Sequence, residues 1–212
     1  MGAYADLRQR MVERQLRRRG IGDERVLAAM ATVPREAFVP AALRHRAYAD
    51  SALPIGEGQT ISQPWIVAAI CQALALDGRE LVLEVGTGSG YSAAVLAELA
   101  GSVVSVERHP SLADAAAATL VRLGVAGVEV LVADGSRGLP ERAPFDAIAV
   151  HAAAPAPPPA LVAQLAEGGR LVVPIASGEV ETLTLLRRQG NELEARDLGP
   201  CRFVPLIGDQ GY

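Results

Sequence analysis

A chain of 212 residues, half of them hydrophobic, can bury a sizeable core and fits one large domain or a domain with an appendage. All 20 cationic residues are arginine and the formal net charge is −4, which argues against a nucleic-acid partner, because such a partner favours a basic face. The two cysteines, Cys71 and Cys201, stand far apart in apolar segments and read as buried thiols, not as a disulfide or metal pair. No apolar run reaches the roughly 18 residues of a membrane span and no basic-then-apolar leader opens the chain, so a cytoplasmic protein is expected.

In chain order, Leu7, Met11, Val12 and Leu16 recur at helical spacing between Tyr4 and Arg19, and Gly20 stands where that helix stops. Arg14 and Arg17 to Arg19 read as its solvated face. A second short helix is expected from Asp23, a suitable N-cap, through Val26, Leu27 and Met30. "VPREAFVP" breaks the pattern with two prolines. Residues 47–61, rich in Gly, Pro and polar residues, read as a long loop or short hairpin, and long loops in compact domains are often functional. Pro64 then opens an apolar helix, and Ser or Thr just before it in "QTISQP" suits helix capping.

Beyond this helix, strands alternate with helices: "LVLEVG", "YSAAVLAELA", "SVVSVE", "SLADAAAATLVRLG", "VEVLVADG" and "PFDAIAVHAAA". "PPALVAQLAEGG" reads as a helix closed by a glycine pair, "RLVVPIA" as a strand, and "ETLTLLRRQG" and "CRFVPLIG" as two more. The alternation predicts an α/β fold, a Rossmann-like doubly wound and mostly parallel sheet covered on both faces, with an N-terminal helical extension.

"EVGTGSG", Glu84 to Gly90, follows a strand and opens a helix, the setting in which glycines bring a nucleotide-like ligand close to backbone. Its glycines are Gly86, Gly88 and Gly90, and Tyr91 occupies the position where the dinucleotide fingerprint needs its last glycine. The spacing therefore favours S-adenosylmethionine over NAD, with Thr87 in the same loop. Glu107 ends the next strand about 20 residues on, where an acid meets ribose hydroxyls. Asp134, followed by Gly135, ends the third strand and is expected to accept from the adenine amino group. Glu84 is expected near the cationic methionine end of the cofactor. The fourth strand ends in "HAAAP", without the Asn/Asp-Pro-Pro-aromatic run of base-amino methylation or an acid to hold Mg2+. Metal-ligand spacing and a nucleophile elbow are absent, so no metal is expected. His151 at that strand end reads as structural or solvated, with a role as base left open.

"VLAAMATVPREAFVP", "GEGQTISQPWIVA", "LEVGTGSGYSAAVLAEL", "APFDAIAVHAAAPAPPPALVAQLAEGGRLVVPI" and "RFVPLIG" together resemble the protein-L-isoaspartate O-methyltransferases over nearly the whole chain. The resemblance implies methyl transfer from S-adenosylmethionine to the free carboxylate of an isoaspartyl residue, giving S-adenosylhomocysteine and an ester that cyclises to succinimide and reopens as aspartate. It implies that Thr60, Ile61 and Ser62 bind substrate, with Ser62 at the active-site serine. An isoaspartyl carboxylate is already ionised near neutral pH, so it needs alignment with the sulfonium and exclusion of water, not a general base. Two positions depart from the family pattern: His151 stands where a small residue or threonine is expected, and Ser92 where glutamine is frequent in bacterial members.

The expectation is thus one methyltransferase domain over 1–212, with N-terminal helices and substrate loop over 1–63 and the cofactor-binding core over 64–212. It would act as a monomer on isoaspartyl-containing proteins or peptides, without nucleic-acid or membrane partners. The rival readings are the same chemistry on one dedicated biosynthetic peptide, and a non-catalytic S-adenosylmethionine-binding module.

Overall fold

The computed structural model describes residues 3–190 and 192–212. The N-terminal layer holds α1 (Ala3–Met11), continued through a wider turn and a tighter one to Arg19, and α2 (Glu24–Thr32). Gly20 ends the first of these at φ 92°, and Asp23 caps the second by accepting from Arg25 N at 2.9 Å and Val26 N at 3.3 Å, both as the sequence predicts. A hairpin follows, β1 (Leu53–Gly56) and β2 (Gln59–Ile61), paired antiparallel. Then comes α3 (Pro64–Leu74), whose buried face is Ile66, Val67, Ile70, Cys71 and Leu74.

The remainder builds one seven-stranded sheet from β3 (Leu81–Val85), β4 (Ser102–Glu107), β5 (Val128–Val132), β6 (Phe145–Val150), β7 (Leu165–Ser177), β8 (Val180–Gln189) and β9 (Glu192–Cys201). Helices α4 (Tyr91–Ala97), α5 (Pro110–Arg122) and α6 (Pro159–Ala163) cross between its strands. The spatial order is β5-β4-β3-β6-β7-β8-β9, parallel from β5 to β7 and antiparallel thereafter. This is the doubly wound, mostly parallel sheet that the alternation of elements predicts.

Both faces of the central strands are apolar, and residues alternate between them with period two. Val82, Val103, Ala147, Ala149 and Val172 face the core shared with α1, α2 and α3. Leu83, Val85, Val104, Val106, Ile148, Val150, Leu171 and Val173 face the other core, closed by Leu161 and Leu206. Outermost, β9 is exposed from Glu192 to Asp197.

Two elements differ from the sequence reading: "CRFVPLIG", expected as a strand, supplies only Cys201 at the end of β9 and an isolated bridge at Pro205, because the pairing with β8 runs over Glu192–Cys201 instead, and a helix boundary moves. The helix expected over "PPALVAQLAEGG" stops at Ala163, and Leu165 to Gly169 belong to β7, where Leu165 pairs with Phe145 across an irregularity of register. Phe145 N donates to Gln164 O at 2.8 Å, and Gln164 turns its side chain to Leu139 N and Arg137 O. These long-range bonds outweigh a helical propensity that a five-residue apolar run supplies only weakly.

Candidate active site

The connections from β3 leave toward β4 on one side, while β6 begins the other half of the sheet, so the crevice at their C-terminal ends lies at the topological switch point, where open α/β sheets bind ligands. The crevice encloses about 1040 Å³, open solvent included. It gathers Gly86, Thr87, Gly88, Glu107 and Gly135 from the sheet ends, and Thr60, Ile61 and Ser62 from the hairpin. Residues remote in sequence, assigned separately to cofactor and acceptor, thus share one cavity.

The glycine loop offers shape more than free donors. Gly86 and Gly88 hold φ values of 95° and 53°; a Cβ on Gly86 would lie 3.4 Å from His151 Cβ, and one on Gly88 3.4 Å from Ile55 Cδ1. Three of the loop's N–H groups are already engaged: Gly86 N and Thr87 N donate to Val106 O at 2.9 and 3.2 Å, and Gly88 N donates to Glu107 Oε2 at 2.9 Å. A pyrophosphate asks for such donors to be free. The loop therefore fits S-adenosylmethionine, which has no phosphate, better than a dinucleotide. Glu107 is only 5% exposed, and its other oxygen accepts from His109 N at 3.0 Å. Two backbone donors fix the carboxylate, leaving lone pairs for a ribose diol.

Three of the residues expected to contact the cofactor do not line this cleft. Gly90, at φ 85°, precedes α4 and does not line the cleft; a Cβ there would come 3.2 Å from Ala116 Cβ, so it lets α4 and α5 approach. Asp134 lies outside the cleft, although Gly135 lines it. Its carboxylate accepts from Ser136 N and Oγ at 3.0 and 2.7 Å and from Asp209 N at 2.9 Å, tying the C-terminal segment to the sheet. Burial opposes that charge, but the bonds from Asp209, Ser136 and the nearby Arg137 hold the carboxyl below its ordinary range. Glu84 is completely buried beneath the floor: its Oε2 accepts from Ser105 Oγ at 2.5 Å, and that hydroxyl lies 2.6 Å from Thr87 Oγ1.

The Thr60–Ser62 segment rests on a residue that the sequence hides. The polar cluster before Pro64 does not cap α3, whose N-cap is Gln63 with no side-chain bond. Arg35, with no exposed surface, instead donates from Nη2 to Ser62 O and from Nε to Ala47 O, each at 2.7 Å. Its guanidinium sits 4.8 Å from the Tyr91 ring centre. Burial drives the Arg35 pKa down, and burial also pushes the Tyr91 phenol up to about 12. One cation thus links the Ser62 segment to the helix that follows the glycine loop. The sequence reading gives Arg35 no role; its apolar neighbours between two prolines are the signal that could have marked it as buried. Tyr91, His109 and Leu206, which also line the cleft, were not assigned to it either.

A second cavity adjoins the first, lined by Trp65, Ile66, Cys201 and Phe203, with Thr60, Ser62, His151 and Val204 common to both. Cys201, expected to be buried, is half-buried at this wall, while Cys71 is fully enclosed; both thiols are free.

A doubly wound sheet with this glycine loop and acidic second-strand end defines the S-adenosylmethionine-dependent methyltransferase type of fold. The sequence profile of the family described as protein-L-isoaspartate(D-aspartate) O-methyltransferase matches residues 7–211. A protein-L-isoaspartate O-methyltransferase of Methanoculleus marisnigri is 55% identical over 205 residues, covering 97% of this chain and 93% of that protein. A solved protein-L-isoaspartate O-methyltransferase superposes with a TM-score of 0.87 at 31% identity, over 96% of this chain and 67% of the other. Another, a putative protein-L-isoaspartate O-methyltransferase from Plasmodium falciparum in complex with S-adenosyl-L-homocysteine, gives a TM-score of 0.82 at 26% identity, over 94% and 98%. The chain belongs to the protein-L-isoaspartate(D-aspartate) O-methyltransferase family.

Proposed function

We propose that this chain methylates the free carboxylate of L-isoaspartyl residues in proteins and peptides, initiating their return to aspartate through succinimide. The observation that carries this reading is the presence of Thr60, Ile61 and Ser62 in the same cleft as Gly86, Gly88 and Glu107. S-adenosylmethionine, when bound, supplies the methyl group on a sulfonium. Glu107, fixed by two backbone donors, orients the ribose end; Gly86, Thr87, Gly88 and Gly135 shape the pocket around the rest. Ser62 and Thr60 offer neutral hydroxyl donors that align a carboxylate without holding it as tightly as a guanidinium pair would. Ile61, 3% exposed, packs the hairpin into the core and helps keep water away. Glu84, Gly90 and Asp134 support these residues from outside the cleft.

In this reading residues 1–63 form the acceptor side and residues 64–212 the cofactor side of a single unit, acting as a monomer in the cytoplasm on protein and not on nucleic acid. The net charge of −4 supports the last point. No helix among the described residues is long and apolar enough to cross a membrane.

The test is transfer of labelled methyl to an isoaspartyl peptide beside its aspartyl twin. Base-labile ester on the isoaspartyl peptide alone is expected, and ester on neither, with cofactor bound, would transfer the reading to one dedicated peptide or to a non-catalytic binding module. Ser62→Ala should lower turnover at least tenfold with S-adenosylhomocysteine affinity unchanged; an equal loss of both would remove Ser62 from the acceptor site.

A further inference from the structure

His151 follows β6, and its side chain is 6% exposed. Its Nε2 lies 2.8 Å from Ser92 Oγ and 3.3 Å from Glu84 Oε1. That Glu84 oxygen is buried and has no hydrogen-bond partner, while its twin is served by Ser105. A buried carboxylate oxygen without a donor is costly, and Nε2 is the ionisable nitrogen beside it. The arrangement therefore places a proton on Nε2, shared between Ser92 and Glu84. Nδ1, the other ring nitrogen, makes no hydrogen bond among the described residues, and His151 lines both cavities together with Thr60, Ser62 and Val204.

The charges give this placement a purpose. Glu84 puts a fully buried carboxylate under a cleft whose acceptor is itself a carboxylate, and the two repel in a medium that screens poorly. An imidazolium between them cancels the buried anion and presents an N–H to the incoming one. Before transfer the sulfonium balances the acceptor, and the imidazolium balances Glu84. After transfer the acceptor is a neutral ester, the sulfur is neutral, and the histidine–glutamate pair is unchanged.

We propose that His151, held by Glu84 and Ser92, is a substrate-binding residue whose protonated imidazole donates through Nδ1 to the isoaspartyl carboxylate. Glu84 is its single ion-pair partner among the described residues. The other ionisable groups facing it across the first cavity are Tyr91, Glu107, Arg108 and His109, and across the second Arg19, Cys201 and Arg202. The inference rests on the acceptor site proposed above.

The test compares the pH dependence of KM for an isoaspartyl peptide in the unsubstituted enzyme, in His151→Asn and in His151→Thr, with S-adenosylhomocysteine affinity measured alongside. In the unsubstituted enzyme KM rises as the pH is raised. Both variants lose that dependence and raise KM at low pH roughly ten- to a hundredfold, the worth of a hydrogen bond to a charged group, with cofactor affinity within threefold. A KM profile that keeps its shape in the variants overturns the proposal.

Because removing His151 takes away the nitrogen beside Glu84 Oε1 and risks the fold, nitrogen-15 NMR of the unsubstituted enzyme provides a second reading. Its His151 Nδ1 signal should be of the N–H type in the complex with isoaspartyl peptide and S-adenosylhomocysteine. An acceptor-type Nδ1 in that complex overturns the proposal equally. Failure of the underlying acceptor-site reading looks different: the unsubstituted enzyme then gives no ester on isoaspartyl peptide at any pH.

Discussion

Replacing Glu107 with glutamine keeps the shape of the side chain and removes one acceptor oxygen and the charge. The structure sets the consequence: the two carboxylate oxygens serve Gly88 N at 2.9 Å and His109 N at 3.0 Å, inside a residue only 5% exposed. A carboxamide satisfies one of these donors and turns an NH2 toward the other. Leaving a buried N–H unsatisfied costs about 1–3 kcal/mol, and bonds from the charged carboxylate to ligand hydroxyls are worth about 1.5–3 kcal/mol more. Because the two terms overlap, the expected loss in cofactor binding is at least about 2 kcal/mol, or roughly thirtyfold in Kd. Calorimetric titration with S-adenosylhomocysteine measures it directly, and a thermal melt without ligand separates damage to the loop from loss of binding. A Kd within about threefold of the unsubstituted enzyme would refute the role given to Glu107 and reopen the identity of the ligand.

Arg35→Met strips the donors from Ser62 O and Ala47 O but also removes a buried cation, so stability should change less than the two orphaned carbonyls suggest while turnover falls about tenfold or more; circular-dichroism melts and steady-state kinetics together check the split. Gly90→Ala meets Ala116 Cβ at 3.2 Å and a left-handed backbone, and chemical denaturation should show a loss of about 2–4 kcal/mol; Gly20→Ala, equally left-handed but in open space, should lose only about 1–2 kcal/mol. Asp134 has a depressed carboxyl, so its stabilisation is complete above the ordinary carboxylate range near pH ~3.9 and is lost as the pH falls through that range toward its lower folded value. Hydrogen exchange of the segment around Asp209 should accelerate over that acid window, and Asp134→Asn should flatten the response.

Strand–helix alternation was legible because buried parallel strands are continuous apolar runs, and β3, β4, β5 and β6 all fall where those runs do. The α6–β7 boundary was not, because Leu165 is set by pairing with Phe145, a partner that local pattern does not contain. Gly86, Gly88 and Glu107 line the cleft at the positions their spacing marks, whereas Gly90 shares that spacing for a packing reason that only Ala116 reveals. Glu84 showed the same limit. Its position at the end of an apolar run marked it as special, but whether it faces the cleft or lies beneath it follows from the parity that also places Ser105 and His151 on its side of the sheet. Arg35 was hidden because the sequence gives its charge without giving its burial.

The outer strand β9 has a consequence for the molecule among its neighbours. A ten-residue strand with one unpaired edge is a template on which another extended chain could grow. Here its exposed stretch carries Glu192, Glu194, Arg196 and Asp197, followed by Pro200, so an incoming strand would have to bring matching charges and give up a ladder bond near the end. For a catalyst whose proposed substrates are damaged, partly unfolded chains, such an edge keeps the client at the cleft and off the sheet, and favours release over co-aggregation.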